Sequence, residues 1–224
     1  MEILDGVFML KAQKPGSHSY MVTGEGLKVL IDPGVAQHLQ SLRDALKKVG
    51  FSLDDIDLVI NTHEHFDHIG ANKYLQNTAL IAAHRYAAAK IVSGDDEVTM
   101  CRANGQGVNG YKVHLWMENI NLIDAGGWRL KLLHTPGHTS GCVCIYEPRR
   151  KVLFSGDTVF ARGTVSEISK SGSYGEYLNS LRRLNTMKID LILPGHGAVS
   201  EEPENDLTRA IESVEAELEK RQKG

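Results

Sequence analysis

Short apolar runs, each closed by turn-forming residues, recur along the whole chain. The runs that predict strands are residues 3–10, 20–23, 27–31, 57–61, 80–83, 128–133, 142–146, 152–154 and 191–193. Their short length, and the Gly, Pro and Asp residues that bound them, are typical of strands rather than helices. The run at 27–31, for example, stops at Asp32-Pro33-Gly34, and the last run stops at Pro194.

Four other segments carry apolar residues at helical spacing. They are residues 39–49, an Ala-rich stretch at 85–92, a stretch with Tyr177, Leu181 and Leu184, and a final stretch with Leu207, Ile211, Val214 and Leu218. Gly50 is placed to end the first helix, and Ser173 with Glu176 predicts a capping box that opens the third. Strands followed by helices in both halves of the chain predict sheets that are covered by helices.

The segment 93–118 shows neither a clear strand pattern nor apolar residues at helical spacing. Its Asn104-Gly105-Gln106-Gly107 and Asn109-Gly110 sequences predict a long loop. Long loops in compact domains often carry function.

Composition narrows the class of protein. With 224 residues the chain suits one layered core, so we expect a single domain over residues 1–224. A net charge of −3 argues against a surface built for nucleic acid or anionic membrane. We find neither a signal peptide at Met1–Gly6 nor a run near the ~18 apolar residues of a membrane span. Three cysteines make no disulfide framework, so we expect a cytoplasmic protein.

Polar clusters follow the ends of four predicted strands. They are His63-Glu64-His65-Phe66-Asp67-His68, Thr135-Pro136-Gly137-His138-Thr139, Ser155-Gly156-Asp157-Thr158 and Pro194-Gly195-His196-Gly197. The first offers imidazole or carboxylate at five of its six positions, and its four candidate ligands His63, His65, Asp67 and His68 suit zinc, iron and related divalent ions. So dense a run of ligand types predicts a site for two metal ions.

Glycine precedes two of the other candidate ligands. Gly137 before His138 and Gly195 before His196 permit sharp turns and a close approach to a metal. The prolines before them stiffen the entry to each turn. Asp157 can bridge two metals through one carboxylate.

Taken together, His63-x-His65-x-Asp67-His68 with His138, Asp157 and His196 resembles the ligand series of the metallo-β-lactamase superfamily. The resemblance runs from Asp32-Pro33-Gly34 to Gly195-His196-Gly197. It implies an α+β fold, a four-layer αββα sandwich in which helices flank two mixed β-sheets, with the site at one edge of the sheets. It also implies one metal on His63, His65 and His138, a second on Asp67, His68 and His196, Asp157 between them, and Asp32 as a residue that orients ligands.

Within that superfamily, residues 154–160 resemble the glyoxalase II-like branch. The chain departs from glyoxalase II because Gly197-Ala198 replaces an acidic-aromatic pair, and we expect it to lack the helical C-terminal domain that contacts glutathione there. Phe160 stands where the lactonase branch has tyrosine, and Asp157 stands where β-lactamases commonly have cysteine.

The resemblance implies metal-assisted hydrolysis of a small-molecule thioester, lactone or other ester. Two divalent ions, zinc first with iron or manganese as alternatives, would activate a bridging water as hydroxide. Asp67 would act as a catalytic residue by orienting it. The sequence is compatible with a homo-oligomer.

Two other activities stay open at this point. An iron oxygenase of the persulfide-dioxygenase type would use one metal on His63, His138 and Asp157. A phosphodiesterase or ribonuclease is motivated by the basic stretches 149–151 and 182–183, although a solvated surface is the simpler interpretation of both.

Overall fold

The computed structural model describes residues 1–107, 110–118 and 122–223, whose strands form two sheets. The first contains β1 (Glu2–Leu4), β2 (Val7–Leu10), β3 (Ser19–Thr23), β4 (Lys28–Ile31), β5 (Leu58–Asn61), β6 (Leu80–His84) and β7 (Leu115–Met117), in that spatial order. The second contains β8 (Leu122–Asp124), β9 (Arg129–His134), β10 (Val143–Glu147), β11 (Val152–Gly156) and β12 (Leu191–Pro194). Both sheets are mixed: β4 to β7 pair parallel in the first, β11 and β12 in the second, and the remaining pairs are antiparallel.

Helices form at the four segments predicted from helical spacing, and three four-residue helices that were not predicted form as well. The helices are α1 (Leu39–Lys48), α2 (Phe66–Ile69), α3 (Asn72–Leu75), α4 (Arg85–Ser93), α5 (Asp96–Thr99), α6 (Tyr174–Asn185) and α7 (Pro203–Lys223). The chain turns away just after α1 because Gly50 adopts a left-handed φ of 88°. Within the described ranges, no helix has both the length and the apolar character needed to cross a membrane.

Three apolar layers hold the fold together. Between the sheets, Val22 and Ile60 from the first pack with Leu132 and Phe154 from the second. The outer face of the first sheet packs on α1 and α3, and that of the second on α6 and α7. Because each fully buried Leu or Ile contributes roughly 1.5–3 kcal/mol, these layers supply most of the drive to fold. The order helix, sheet, sheet, helix confirms the predicted αββα sandwich, and the single domain stays a prediction.

The prediction of one strand over residues 3–10 is wrong. Asp5-Gly6 turns the chain, and β1 and β2 pair as antiparallel neighbours. Gly6 has a φ of 74°, and a Cβ there would lie 2.6 Å from the carbonyl oxygen of Thr23. Ile3 and Leu4 are only partly buried and pack on the same core as β2, and the Asp5-Gly6 pair between the two strands is the turn signal that marks the break.

The long loop predicted for 93–118 is only partly present. It contains α5 and a 3₁₀ turn at Arg102–Asn104, and it ends in β7 at the edge of the first sheet. Residues 108 and 109 lie outside the described residues. The short edge strands β7 and β8 escaped prediction because three residues give too little pattern to establish a period.

The predicted capping box at α6 is half formed. The Ser173 hydroxyl accepts a hydrogen bond from the Glu176 amide, as expected for an N-cap. The Ser173 amide donates instead to the carbonyl of Gly137. This hydrogen bond to the loop of His138 replaces the one that the Ser173 amide would donate to the Glu176 carboxylate in a complete capping box.

Strand direction brings the polar clusters to one edge. Because β10 is antiparallel to both β9 and β11, the strands β9, β11 and β12 all run the same way. Their carboxyl ends meet the ends of β4 and β5, as two bonds between the sheets show. The Val143 amide donates to the Thr62 carbonyl (2.8 Å), and the Tyr20 hydroxyl donates to the Pro194 carbonyl (2.7 Å).

Candidate metal centre

Three histidines form the first group of candidate ligands. His63 and His65 follow β5, and His138 lies in the loop between β9 and β10. Each offers one ring nitrogen, and these nitrogens all lie within 4.8 Å of one another. Nε2 of His138 is 3.0 Å from Nδ1 of His65. Three imidazole nitrogens converging on one point suit a divalent cation such as zinc.

Asp67, His68 and His196 form the second group. Oδ2 of Asp67 lies 3.0 Å from Nε2 of His196 and 3.6 Å from Nε2 of His68. The side chain of His196 is 35% exposed, whereas that of Asp67 is 12% exposed and that of His68 is fully buried. Solvent therefore reaches the centre from the side of His196.

Asp157 lies between the two groups. Its Oδ1 is 3.3 Å from Nε2 of His68 and 3.6 Å from Nε2 of His196. Its Oδ2 is 3.9 Å from Nε2 of His138, on the other side. One carboxylate thus faces ligands of both groups, which is the arrangement that a bridging ligand requires.

Buried atoms without hydrogen bonds test whether a metal fits. Within the described residues, Nε2 of His63, Nε2 of His68 and Oδ1 of Asp157 are buried and make no hydrogen bond. Leaving a buried polar atom unpaired costs about 1–3 kcal/mol. Divalent cations would satisfy these atoms, so the donor set fits metal ions.

The protonation states of three candidate ligands favour ligation, whereas for His68 burial is outweighed by the surrounding carboxylates, which raise its pKa well above the ordinary value. Burial lowers the pKa of His63 well below its ordinary value, and the neighbouring His68 lowers it further. Burial and the ring of His138 lower the pKa of His65 to about 4. Burial would raise the pKa of Asp157, but the adjacent His68 holds it below the ordinary value. At neutral pH His63 and His65 are neutral and Asp157 is ionised, as metal ligands must be.

Asp32 orients the second group from behind. Its Oδ2 lies 2.8 Å from Nδ1 of His68, so Nε2 of that ring faces Asp157. Its two oxygens also accept hydrogen bonds from the amide and the hydroxyl of Thr62, at 2.8 and 2.6 Å. Asp32 has a φ of 51°, a conformation uncommon for a residue other than glycine. This geometry is the one expected of a residue that orients a ligand.

Gly137 and Gly195 each allow a neighbouring side chain to approach the backbone closely. Only at Gly195 are those side chains candidate ligands. A Cβ on Gly195 would lie 2.6 Å from Oδ1 of Asp157 and 2.8 Å from Cε1 of His68. A Cβ on Gly137 would instead meet the ring of Tyr177 at 2.5 Å. The expectation that Gly137 allows a close approach to a metal is therefore wrong, since that glycine makes room for α6.

The structure adds residues that the sequence analysis did not single out. Glu64 is fully buried with its carboxylate turned toward Lys90, away from the cluster of histidines. The Tyr177 hydroxyl holds the loop after β11 by donating to the carbonyls of Asp157 and Thr158. Alternation with the flanking histidines could have drawn attention to Glu64. Nothing near Tyr177 in the sequence signals its role.

Comparison with known proteins identifies the family. Residues 14–196, more than half of the chain, match the metallo-beta-lactamase superfamily. A probable metallo-hydrolase of Methanocaldococcus jannaschii is 33% identical over 193 residues, which cover 83% of this chain and 89% of the relative. An acyl-coenzyme A thioesterase of Homo sapiens is 27% identical over 225 residues, which cover 86% of this chain and 78% of the relative.

The fold has relatives among solved structures. A metallo-beta-lactamase family protein from Thermus thermophilus superimposes with a TM-score of 0.82 at 20% identity. The match covers 97% of this chain and 82% of that protein. With candidate metal ligands at one edge of an αββα sandwich and a matching family sequence, the chain belongs to the metallo-β-lactamase superfamily and is a metallo-hydrolase.

Proposed function

We propose that this metallo-hydrolase is binuclear, binds two zinc ions, and hydrolyses an acyl thioester or a related ester of a small molecule. One observation carries the proposal. Two groups of candidate ligands, His63, His65, His138 and Asp67, His68, His196, lie on either side of the Asp157 carboxylate. Imidazole and carboxylate donors in these numbers suit zinc, and a shared carboxylate suits a pair of metals.

The protein contributes orientation of the attacking water through a hydrogen-bond acceptor. When bound, two divalent ions would supply a water of lowered pKa and a positive clamp for the substrate's carbonyl oxygen. Asp67 turns Oδ2 toward His196 and His68. Its Oδ1 has no hydrogen-bond partner among the described residues, and in this proposal Oδ1 accepts a hydrogen bond from the attacking water and orients it.

The preference for thioesters has two supports. One is the sequence around Asp157, which resembles the glyoxalase II-like branch. The other is the human relative, whose name describes an acyl-coenzyme A thioesterase. Near the exposed ligand, the ring of Phe160 lies edge-on to His196 with 6.1 Å between centroids. This ring gives the open side of the centre an apolar wall suited to an acyl chain.

The alternatives have less support. Arg150 and Lys151 engage Trp128 and Asp190, and Arg182 pairs with Glu215. These basic side chains already have partners within the chain, so they favour a structural role over a nucleic-acid surface. A single iron on His63, His138 and Asp157 would leave the second group of candidate ligands, Asp67, His68 and His196, without a metal to bind. The cytoplasmic location, the absence of membrane and nucleic-acid partners, and any homo-oligomer stay proposals.

Metal analysis paired with a substrate panel tests the proposal. We expect protein from its native host to contain about two zinc ions per chain and to hydrolyse acyl thioesters fastest in a panel of thioesters, lactones, esters and phosphodiesters. Asp157→Asn removes the shared carboxylate charge. This variant should bind fewer metals and lose at least ~100-fold in kcat/KM.

Asp54→Asn is the matched control, since Asp54 is exposed and has no hydrogen-bond partner among the described residues. It should behave as wild type in both measurements. A protein loaded with two metals that cleaves nothing in the panel would contradict the proposal. One iron per chain with consumption of oxygen would instead favour the oxygenase.

A further inference from the structure

A buried carboxylate lies within the metal-binding run without facing the metal centre. Glu64 stands between His63 and His65, and its side chain is fully buried. The ring centroids of His63 and His65 lie 5.0 and 4.6 Å from that of His138, whereas the Glu64 carboxylate meets Lys90. The two histidines face His138, and the Glu64 carboxylate therefore points to the far side of the run, where α4 and two loops meet.

Three side chains donate hydrogen bonds to this carboxylate. Nζ of Lys90, from α4, lies 3.0 Å from Oε1. The Ser171 hydroxyl donates to Oε1 at 3.2 Å, and the Thr139 hydroxyl donates to Oε2 at 2.9 Å. Lys90 also donates to the Ser140 hydroxyl at 2.5 Å. The carboxylate thus joins α4 to the loop that carries His138 and to the loop after β11.

These contacts restrict the position of the candidate ligand His138. Thr139 directly follows His138, and Ser140 comes one residue later, so the ion pair holds the loop immediately behind that ligand. Packing leaves the loop little freedom, because a Cβ on Gly141 would lie 2.5 Å from Oε2 of Glu64. On its other side, Nδ1 of His138 lies 2.5 Å from the Glu167 carbonyl, in the loop that Ser171 tethers.

The second ligand group has separate supports. Asp32 orients His68. His18 contacts the loop of His196, since its Nε2 lies 3.0 Å from the Gly197 carbonyl and its amide donates to the Gly195 carbonyl. Neither support includes Glu64 or Lys90.

We propose that the Glu64–Lys90 ion pair is a positioning device for His138, and that it sets the affinity of the metal position formed by His63, His65 and His138. The inference rests on the proposed metal-dependent function. Its physical basis is that a buried charge pair with several hydrogen bonds tolerates only one arrangement of the groups around it. Residues behind a ligand commonly change metal affinity 10–100-fold.

Stepwise zinc titration against a chromophoric chelator tests this inference without relying on activity. Lys90→Met should weaken the affinity of one zinc ion by about 10–100-fold and leave the other unchanged. Lys90→Arg keeps the charge and should restore most of that affinity. The spectrum of the Co²⁺-substituted protein should change in the bands of the affected position.

Two further variants separate positioning from stability. Glu64→Met with Lys90→Met replaces the ion pair by apolar side chains of similar length, a change that often leaves stability intact. We expect this double variant to unfold in urea near the wild-type midpoint and still to bind one zinc ion at least ~10-fold more weakly. Lys220→Met removes an exposed pairing partner of Glu217 on α7 and should match wild type throughout.

The outcomes distinguish this inference from the proposed function. Equal weakening of both zinc ions, or unchanged affinity in Lys90→Met and the double variant, would overturn the positioning role alone. Wild-type protein that binds no metal would overturn the proposed function and this inference with it.

Discussion

The backbone of Gly195 passes so close to two candidate ligands that only a hydrogen atom fits on its Cα. Oδ1 of Asp157 and Cε1 of His68 would lie 2.6 and 2.8 Å from a Cβ. Both are held from other sides, His68 by Asp32 and the loop of Asp157 by Tyr177. Neither can give way without moving a ligand, so the glycine is a requirement of the centre.

Gly195→Ala should therefore disable the centre. We expect the added methyl group to displace Asp157 or His68, to lower zinc affinity, and to reduce kcat/KM by at least ~10-fold, with destabilisation of about 1–3 kcal/mol from overpacking. Chelator competition, steady-state kinetics and urea unfolding measure the three effects.

Gly107→Ala is the control for this substitution, because nothing lies within 4 Å of a Cβ at Gly107. It should stay within about 0.5 kcal/mol of wild type. If Gly195→Ala retained wild-type zinc affinity, the close approach would not be limiting.

The residues of the centre differ in how visible they are in the sequence. Four of the seven predicted ligands could be found because they stand in one run of six residues, and the resemblance to the superfamily added His138, Asp157 and His196. Glu64 and Lys90 could not be paired, since residues 26 positions apart contact each other only when β5 and α4 pack. Hydrogen bonds to backbone, such as those of Tyr177, leave no trace in side-chain pattern.

At the scale of elements, a stacked pair of histidines joins the two sheets beside the centre. The rings of His84, at the end of β6, and His134, at the end of β9, lie 3.8 Å apart between centroids and nearly parallel. Nδ1 of His84 accepts a hydrogen bond from the Tyr86 amide and so caps α4. Nε2 of His134 lies 2.9 Å from the Ser140 carbonyl.

Acid should weaken this junction. Burial and the neighbouring His134 lower the pKa of His84 to about 4, against an ordinary value of 6.5. Between those values the unfolded chain takes up the proton more readily, so the free energy of unfolding falls as pH decreases from about 6.5 to 4. The contribution of neutral His84 to stability is fully present above pH 6.5, the pKa of the unfolded state. It is lost as the pH falls from there to about 4, the pKa of the folded state.

His84→Asn isolates that contribution, because asparagine keeps an N-cap acceptor and does not titrate. In metal-free protein, we expect the fall in unfolding free energy between pH 7 and 4 to be smaller in the variant, by on the order of 1 kcal/mol. Urea titrations at several pH values measure the difference. Identical pH dependence in the two proteins would contradict the assignment.

Elements were predicted well where the periodic segment is long, and poorly where tertiary contacts decide whether a short segment becomes a strand or a cap. α1 and α7 lie where their apolar stripes place them, since four or more positions define the face. β8 has only three residues and is a strand because β9 pairs with it. The second hydrogen bond of the α6 capping box is absent because the Ser173 amide donates to the carbonyl of Gly137 instead of to the Glu176 carboxylate.

For the whole molecule, the candidate ligands tie distant parts of the fold together. They follow β5, β9, β11 and β12, so they come from both sheets. A ligand that binds only the folded chain stabilises it by about 2.7 kcal/mol when present at 100 times its Kd. Metal binding should therefore act on global stability.

Removal of metal by a chelator should lower the unfolding temperature by roughly 5–10 °C per ion bound at that excess, for a protein of this size. Differential scanning calorimetry of loaded and chelator-treated protein measures the change. Asp157→Asn, which we expect to bind fewer metals, should show a smaller difference. An unchanged unfolding temperature in wild type would contradict metal binding by the folded chain.

The sequence alone determined the class of the fold, the seven candidate ligands and the candidate orienting role of Asp32. The run of ligand types at residues 63–68 is local to the chain, whereas the fold class, the complete ligand set and the role of Asp32 came from the resemblance to the superfamily. Tertiary structure decided the distances within the two implied groups, which oxygen of Asp157 faces each of them, and that Gly137 serves packing against Tyr177. It also decided that Glu64 turns from the centre to Lys90. Those facts depend on how the two sheets and their helices pack, since only packing brings residues far apart in the chain within bonding distance.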